Sequence, residues 1–276
     1  PTKPRCIACW ECEPSPMYYL SIDGCRLEVR TIPGDPAKPW LVLLHEGLGS
    51  VSLWRDFPDK LARRTGAPVL LYSRRGYGKS DSLDGPRDID FMHREAHEVL
   101  PELLDQAGIE RAVLVGHSDG ASIALIHAAS NPGRIAGAIL MAPHVLVEPI
   151  STESIRAIKT VYETTDLRAR LSRHHAHVDD AFLGWANIWL DPRFADWSLA
   201  EECAHLEVPI VLIQGENDEY GTLAQIDTIA AASRGPVTRV VLPDCGHAPH
   251  RDAEDEVAGH VARMVEAVIS RIPGSS

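Results

Sequence analysis

Residues 112–120 read Ala112-Val113-Leu114-Val115-Gly116-His117-Ser118-Asp119-Gly120, and the rest of the chain is read outward from them. The first four are apolar on both faces, the pattern of a short buried parallel strand. A helix-forming run, 121–130, follows directly. A residue on so sharp a strand-to-helix turn is forced into a strained backbone conformation. Glycines two positions to either side remove the side chains that would collide there. Ser118 occupies that position. Its hydroxyl is expected to project above the sheet, and the following N–H groups to aim at a substrate oxygen.

On either side the chain alternates strands and helices. Runs 18–22 and 26–31 flank Asp23-Gly24, a hairpin signal. Further strand-like runs lie at 40–44, 68–72, 137–141, 209–213 and 238–242, and helix-like segments at 54–64, 94–107 and 254–270. This alternation predicts an α/β fold with a mostly parallel sheet covered by helices on both faces. From 145 to 206 the pattern is helical only and carries Trp185, Trp189, Trp197, Phe182 and Phe194. It leaves after one core strand and returns before the next, so it is read as a cap over the carboxyl edge of the sheet. The expected organisation is a core of 17–144 and 207–276, a helical cap of 145–206, and an unstructured proline-rich extension, 1–16.

A serine hydroxyl needs a base to remove its proton. Of thirteen histidines, His247 sits after the last strand-like run and before the final helix, where a loop can reach Ser118. His250 is its rival. His45, His117 and His144 lie near strand ends and are read as shaping loops. His174, His175 and His177 have metal-like spacing, but on a polar helix end they are read as a solvated face, so no metal is expected. A carboxylate must face the other imidazole nitrogen to hold its tautomer. Asp218, after run 209–213, fits better than Glu216 or Asp244. Two oxyanion donors are expected, the N–H of Asp119 and that of Gly47, with Leu48 as the alternative in loop 45–49. Glu46, Leu48, His144, Trp185 and Trp189 are read as substrate contacts.

Composition removes several function classes. A formal net charge of -12 without a basic stripe argues against nucleic acid. No apolar run is long enough to span a bilayer, and the N-terminus lacks the order of a secretory signal, so a cytoplasmic location is expected. Cys6, Cys9 and Cys12 form C-x-x-C-x-x-C without a fourth ligand nearby and are assigned to the extension; Cys25, Cys203 and Cys245 are read as reduced thiols.

The turn at Ser118, the loop at 45–49, the acid at 218 and the histidine at 247, in that chain order, resemble the α/β-hydrolase superfamily. The resemblance spans about 17–272. It implies an α/β-hydrolase fold, no cofactor, and a small-molecule ester or lactone as partner. Tyr72-Ser73-Arg74-Arg75-Gly76-Tyr77-Gly78-Lys79-Ser80 resembles the family's D-x-x-G-x-G-x-S turn, with Ser73 where an aspartate is common. Glu46 stands where many members have glycine. Asp119 replaces the usual apolar or glutamine residue, to contact a cationic substrate or a neighbouring helix. More narrowly, residues 45–58 with the Ser118 turn are similar to serine-dependent macrolide esterases, which implies opening of a lactone ring and antibiotic inactivation. The same three residues also serve carbon–carbon bond hydrolases of ring-cleavage products and acyltransferases. A non-catalytic scaffold normally loses one of the three.

Overall fold

The computed structural model describes residues 17–271. The expected extension, 1–16, with Cys6, Cys9 and Cys12, lies outside the described residues. Eight strands form one sheet: β1 Met17–Ile22, β2 Cys25–Ile32, β3 Trp40–Leu44, β4 Val69–Tyr72, β5 Ala112–His117, β6 Ile135–Met141, β7 Ile210–Gly215 and β8 Val237–Leu242. Their order is β1-β2-β4-β3-β5-β6-β7-β8. β1 and β2 are an antiparallel hairpin whose turn residues Asp23 and Gly24 both have positive φ, 47° and 69°. That conformation matches the right-handed twist of the paired strands. β2 is also antiparallel to β4, and the remaining pairs are parallel.

The parallel strands are buried on both faces because their side chains alternate between two apolar layers. Val42, Leu44, Leu114 and Leu140 enter one cluster, and Leu41, Leu43, Val115, Ile139 and Met141 the other. Helices Phe57–Thr65 and Glu254–Ile269 pack together on the second face. The helix Asp119–Ser130 lies on the first, with Ala200–Ala204 and Ala224–Ala232 beside it. This is the expected fold class. Edge strand β8 is the exception to double-sided burial; Thr238 and Arg239 are exposed.

Topology decides where a site can form. The chain steps from β3 outward to β4, then returns across β3 to β5. Loops leaving β3 and β5 therefore diverge, and a crevice opens between them at the carboxyl edge. Register aligns that edge: Leu44 pairs with Gly116, and Gly116 with Leu140. Between β6 and β7 the chain forms helices Pro149–Thr164, Leu167–Leu171 and Val178–Trp189. It then returns to the core, where Leu199 N–H bonds Val145 O at 2.8 Å and Cys203 is fully buried.

Gly120 shows how closely the layers approach. A Cβ there would lie 2.1 Å from Leu44 O and 2.5 Å from His45 O. Neither is a movable side-chain tip. Gly120→Ala is expected to cost about 3 kcal/mol or more in urea unfolding, if folded protein forms at all. Gly133→Ala, with nothing within 4 Å of the added carbon, should stay within about 0.5 kcal/mol of wild type. Equal stability of the two variants would contradict this packing.

Candidate active site

Ser118 has φ 53° and ψ -123°, a conformation that L-residues avoid. Such strain costs on the order of 1–3 kcal/mol and persists only where surrounding structure imposes it. Here the Ser118 N–H is tied to Met141 O at 2.9 Å, and Ser118 O accepts Ala121 N–H at 2.8 Å. A Cβ on Gly116 would meet Ala121 Cα at 2.5 Å, so the helix can start this close to the strand only above glycine. Asp119 is the first helical residue, so its N–H has no intrahelical partner.

His247 meets Ser118 from the loop after β8. Its Nε2 is 2.9 Å from Ser118 Oγ, and its Nδ1 is 2.8 Å from Asp218 Oδ1. The Asp218 side chain is 1% exposed. Oδ1 also accepts the N–H groups of Tyr220 at 2.8 Å and Gly221 at 3.2 Å, and Oδ2 accepts Gln214 Nε2 at 2.6 Å. Burial would raise the pKa of this carboxyl, but the bonds and charge of His247 and the Tyr220 amide outweigh it and hold it below its ordinary value. An ionised Asp218 can only accept, so the network assigns the proton to His247 Nδ1. Nε2 is then left to accept from the Ser118 hydroxyl. His117 Nε2–H donates to the His247 carbonyl at 2.6 Å, fixing the backbone of that loop. The rival, His250, faces away; it is buried against Trp54, Phe57 and His117.

The loop after β3 is held by buried polar groups. Arg74 is 2% exposed, and its guanidinium donates to the carbonyls of His45 and, at 2.9 Å, Glu46. His45 Nε2 accepts the Arg74 N–H at 3.1 Å, while its Nδ1–H donates to Glu46 O at 2.7 Å. His175 corrects the reading of the 174–177 histidines as solvated. It is 3% exposed, accepts Gly78 N–H on Nδ1 at 3.0 Å and donates Nε2–H to Leu48 O at 3.1 Å. Burial lowers both imidazoles, His175 to about 4. Each is thus a neutral ring that spends one nitrogen as donor and the other as acceptor. The missing aspartate at Ser73 also has a substitute. Glu28, from β2, takes the Ser73 hydroxyl at 2.8 Å and Lys79 N–H at 2.9 Å, and Ser73 Oγ accepts Val51 N–H at 2.9 Å. Neither Glu28 nor Arg74 was singled out as a site residue. A charged residue at an inward position of β2 was the available signal.

A cavity of about 280 Å³ lies between this edge and the helices of 149–189. Glu46, Gly47, Leu48, Ser118, Asp119, His144, Trp185, Trp189 and His247 line it, so the structure brings together every predicted site residue except Asp218, which sits behind His247. Asp119 points at the helix Val178–Trp189. Its Oδ1 accepts Trp189 Nε1–H at 3.2 Å, and burial pushes its carboxyl up against the pull of Arg74 and Arg87. Glu46 lies 3.5 Å from His117 Nδ1. Burial opposes its charge, but His117, His250 and His45 together hold it well below the usual carboxylate range. His144, 5.0 Å from the Trp189 ring, is lowered to about 3 by burial and the nearby His247. Gly47 is pressed against the cap: a Cβ there would lie 2.2 Å from Trp185 Nε1. Among the described residues no three His, Cys, Asp or Glu side chains group to hold a metal ion.

The family described as "Alpha/beta hydrolase family" matches residues 41–260. The chain belongs to the alpha/beta hydrolase family. Among curated relatives of this hydrolase, a 2-hydroxy-6-oxononadienedioate/2-hydroxy-6-oxononatrienedioate hydrolase of Paraburkholderia phymatum is 35% identical over 57% of this chain and 56% of its own length. A 2-succinyl-6-hydroxy-2,4-cyclohexadiene-1-carboxylate synthase of Enterobacter is 25% identical over 90% of this chain and 99% of its own. The solved enol-lactonase of Burkholderia xenovorans superposes with a TM-score of 0.68 at 25% identity, covering 90% of this chain and 100% of that one. Among the described residues no helix is long and apolar enough to cross a membrane.

The depressed Asp218 carboxyl has a consequence for stability. Its folded pKa lies below the unfolded value of about 3.9. The ionised form therefore stabilises the hydrolase above about pH 4, and that contribution is lost as pH falls through the folded value. Asp218→Asn should cost about 2 kcal/mol in urea unfolding at pH 7. The gap to wild type should shrink steadily below about pH 4. A gap that stays constant down to pH 3 would contradict the assignment.

Proposed function

We propose that this hydrolase cleaves a small, neutral or cationic carboxylic ester or lactone through an acyl-enzyme on Ser118. One observation carries the reading: an unbroken hydrogen-bond chain from Asp218 through His247 to a strained serine that lines a cavity. His247 Nε2 takes the hydroxyl proton as Ser118 Oγ attacks the carbonyl. The N–H groups of Asp119 and Gly47 receive the oxyanion. His247 then returns the proton to the leaving alkoxide, which in a lactone stays attached to the acyl chain. Water, deprotonated by the same ring, releases the acid. Asp218 keeps His247 in one tautomer and offsets its transient charge.

Substrate class follows from the lining. Carboxyl groups of Glu46, Asp119 and Glu219 face the cavity, and among its described lining residues Arg251 is the sole arginine or lysine. That balance disfavours a dianion and suits a neutral or amine-bearing ligand. Trp185, Trp189 and Leu48 supply apolar surface for the acyl part. At about 280 Å³ the space is at the small end for ligand sites. A macrolide ring would enter only if the helices of 149–189 lifted away. The relative named as a hydrolase of a dienedioate favours a second reading, carbon–carbon bond cleavage by the same residues. The acidic lining argues against it.

Ser118→Ala should leave a folded protein with ester turnover lower by a factor on the order of 10³ or more, and Asp218→Asn should lose a factor on the order of 10³–10⁴. Wild type should be labelled at Ser118 by a fluorophosphonate. Purified enzyme is then offered aryl esters, an enol lactone, a macrolide and a vinylogous diketone diacid, with water gain followed by mass spectrometry. Near-normal turnover in Ser118→Ala would sink the mechanism. Cleavage of the diacid alone would replace the ester reading with the second.

A further inference from the structure

Ten of the described arginines and lysines meet carboxylates. Arg26 meets Asp81 at 3.0 Å, Arg134 meets Asp105 at 2.7 Å, Arg168 meets Asp179 at 2.6 Å and Arg239 meets Asp227 at 2.7 Å. One groove gathers three cations that have no such partner among the described residues. Arg55, Lys79 and Arg173 line a cavity of about 440 Å³, and their side chains enter no hydrogen bond or ion pair among the described residues. Arg30 on its rim is already held by Asp59 at 2.6 Å. The one carboxylate in the lining, Glu28, is engaged by the Ser73 hydroxyl and the Lys79 amide. Three positive charges thus share one concavity on a protein of net charge -12.

Two further observations mark the groove. Arg55 has φ 53° and ψ -125°, almost the conformation of Ser118 at φ 53° and ψ -123°. A non-glycine backbone kept in a region that favours glycine is held there by its surroundings, and such outliers concentrate at binding and catalytic positions. The groove also shares its walls with the catalytic cavity. Leu48, Leu53 and Leu171 face the cavity, whereas Val51, Ser52 and Ser172 face the groove. Across that shared wall Ser52 Oγ bonds His174 Nδ1 at 2.9 Å, and His175, in the groove lining, bonds the Leu48 carbonyl.

We infer that this groove binds a multiply charged oxyanion of the phosphate type through Arg55, Lys79 and Arg173. The three cations come from three separate segments, one after the turn Val51–Trp54, one after β4 and one after helix Leu167–Leu171. Two guanidinium forks and an ammonium offer more donors than one planar carboxylate can accept, and suit a tetrahedral group with several charged oxygens. Such a group is either carried by the substrate, reaching out of the catalytic cavity, or belongs to a separate small anion.

The test is a calorimetric titration of the full-length Ser118→Ala protein with inorganic pyrophosphate at low ionic strength. One saturable site is expected, with affinity falling as salt is raised. The same titration of R55A/K79A/R173A on that background should weaken binding about tenfold or more. If thermal unfolding shows the triple variant to be misfolded, Lys79→Gln and Arg173→Gln tested singly should each weaken binding several-fold. No saturable binding overturns the inference, as does unchanged affinity in folded charge variants. The source is separated kinetically in wild type with a neutral ester and its phosphorylated counterpart. A lower KM for the phosphorylated ester, with competition by pyrophosphate, assigns the anion to the substrate; equal KM values without competition assign a separate ligand. Failure of ester cleavage would leave the titration untouched, so the two readings fall independently.

Discussion

Ser118 can sit at a strained φ only because two backbones approach above glycine, and the remainder of the site is arranged around that contact. Gly116 and Gly120 let the helix Asp119–Ser130 start directly over the end of β3, close to the carbonyls of Leu44 and His45. The cost of the turn, a few kcal/mol at most, is small beside the burial of β3, β5 and β6 on both faces. The sheet therefore imposes the conformation; the serine does not choose it. The same proximity brings the loop after β3 to the first free amide of the helix, where an oxyanion would lie.

Buried polar groups then hold what the apolar layers cannot. A loop such as 45–50 has backbone carbonyls that must find donors once covered. Arg74 and His175 supply them from two different segments, one behind β4 and one from beneath the cap helices. Because His45 and His175 are held neutral by burial, neither adds charge beside the His247 ring. Glu28 performs the matching task for the turn after β4, where Ser73 brings a hydroxyl but no charge. The loop's shape is thus over-determined from below, from the side and, through Trp185 against Gly47, from above.

Local pattern carried most of the fold. Double-sided apolar runs, Asp23-Gly24 and the glycines around Ser118 are short-range signals, and the strands and the sharp turn lie where those signals put them. Strand order also placed His247 and Asp218 on the correct edge, since each follows a parallel strand. What pattern could not carry were pairings between distant segments. His175 lies among polar residues and looks solvated until Gly78 and Leu48 arrive from elsewhere in the chain. Asp119 admitted two partners on sequence grounds, and only the packing of Val178–Trp189 selects the Trp189 indole. Glu28 was hidden for the same reason: its value depends on Ser73, 45 residues away.

The arrangement of charge also separates the two cavities that share a wall. On the inner side Glu46, Asp119 and Glu219 line the cavity, and Arg251 is the one arginine or lysine among its described lining residues. On the outer side, Arg55, Lys79 and Arg173 have no carboxylate partner among the described residues. The wall itself is the loop that presents Gly47, clasped to the cap by Ser52 and His174. Two hydrogen bonds, Ser52 to His174 and His175 to the Leu48 carbonyl, thus hold the wall between an acidic lining and a basic one.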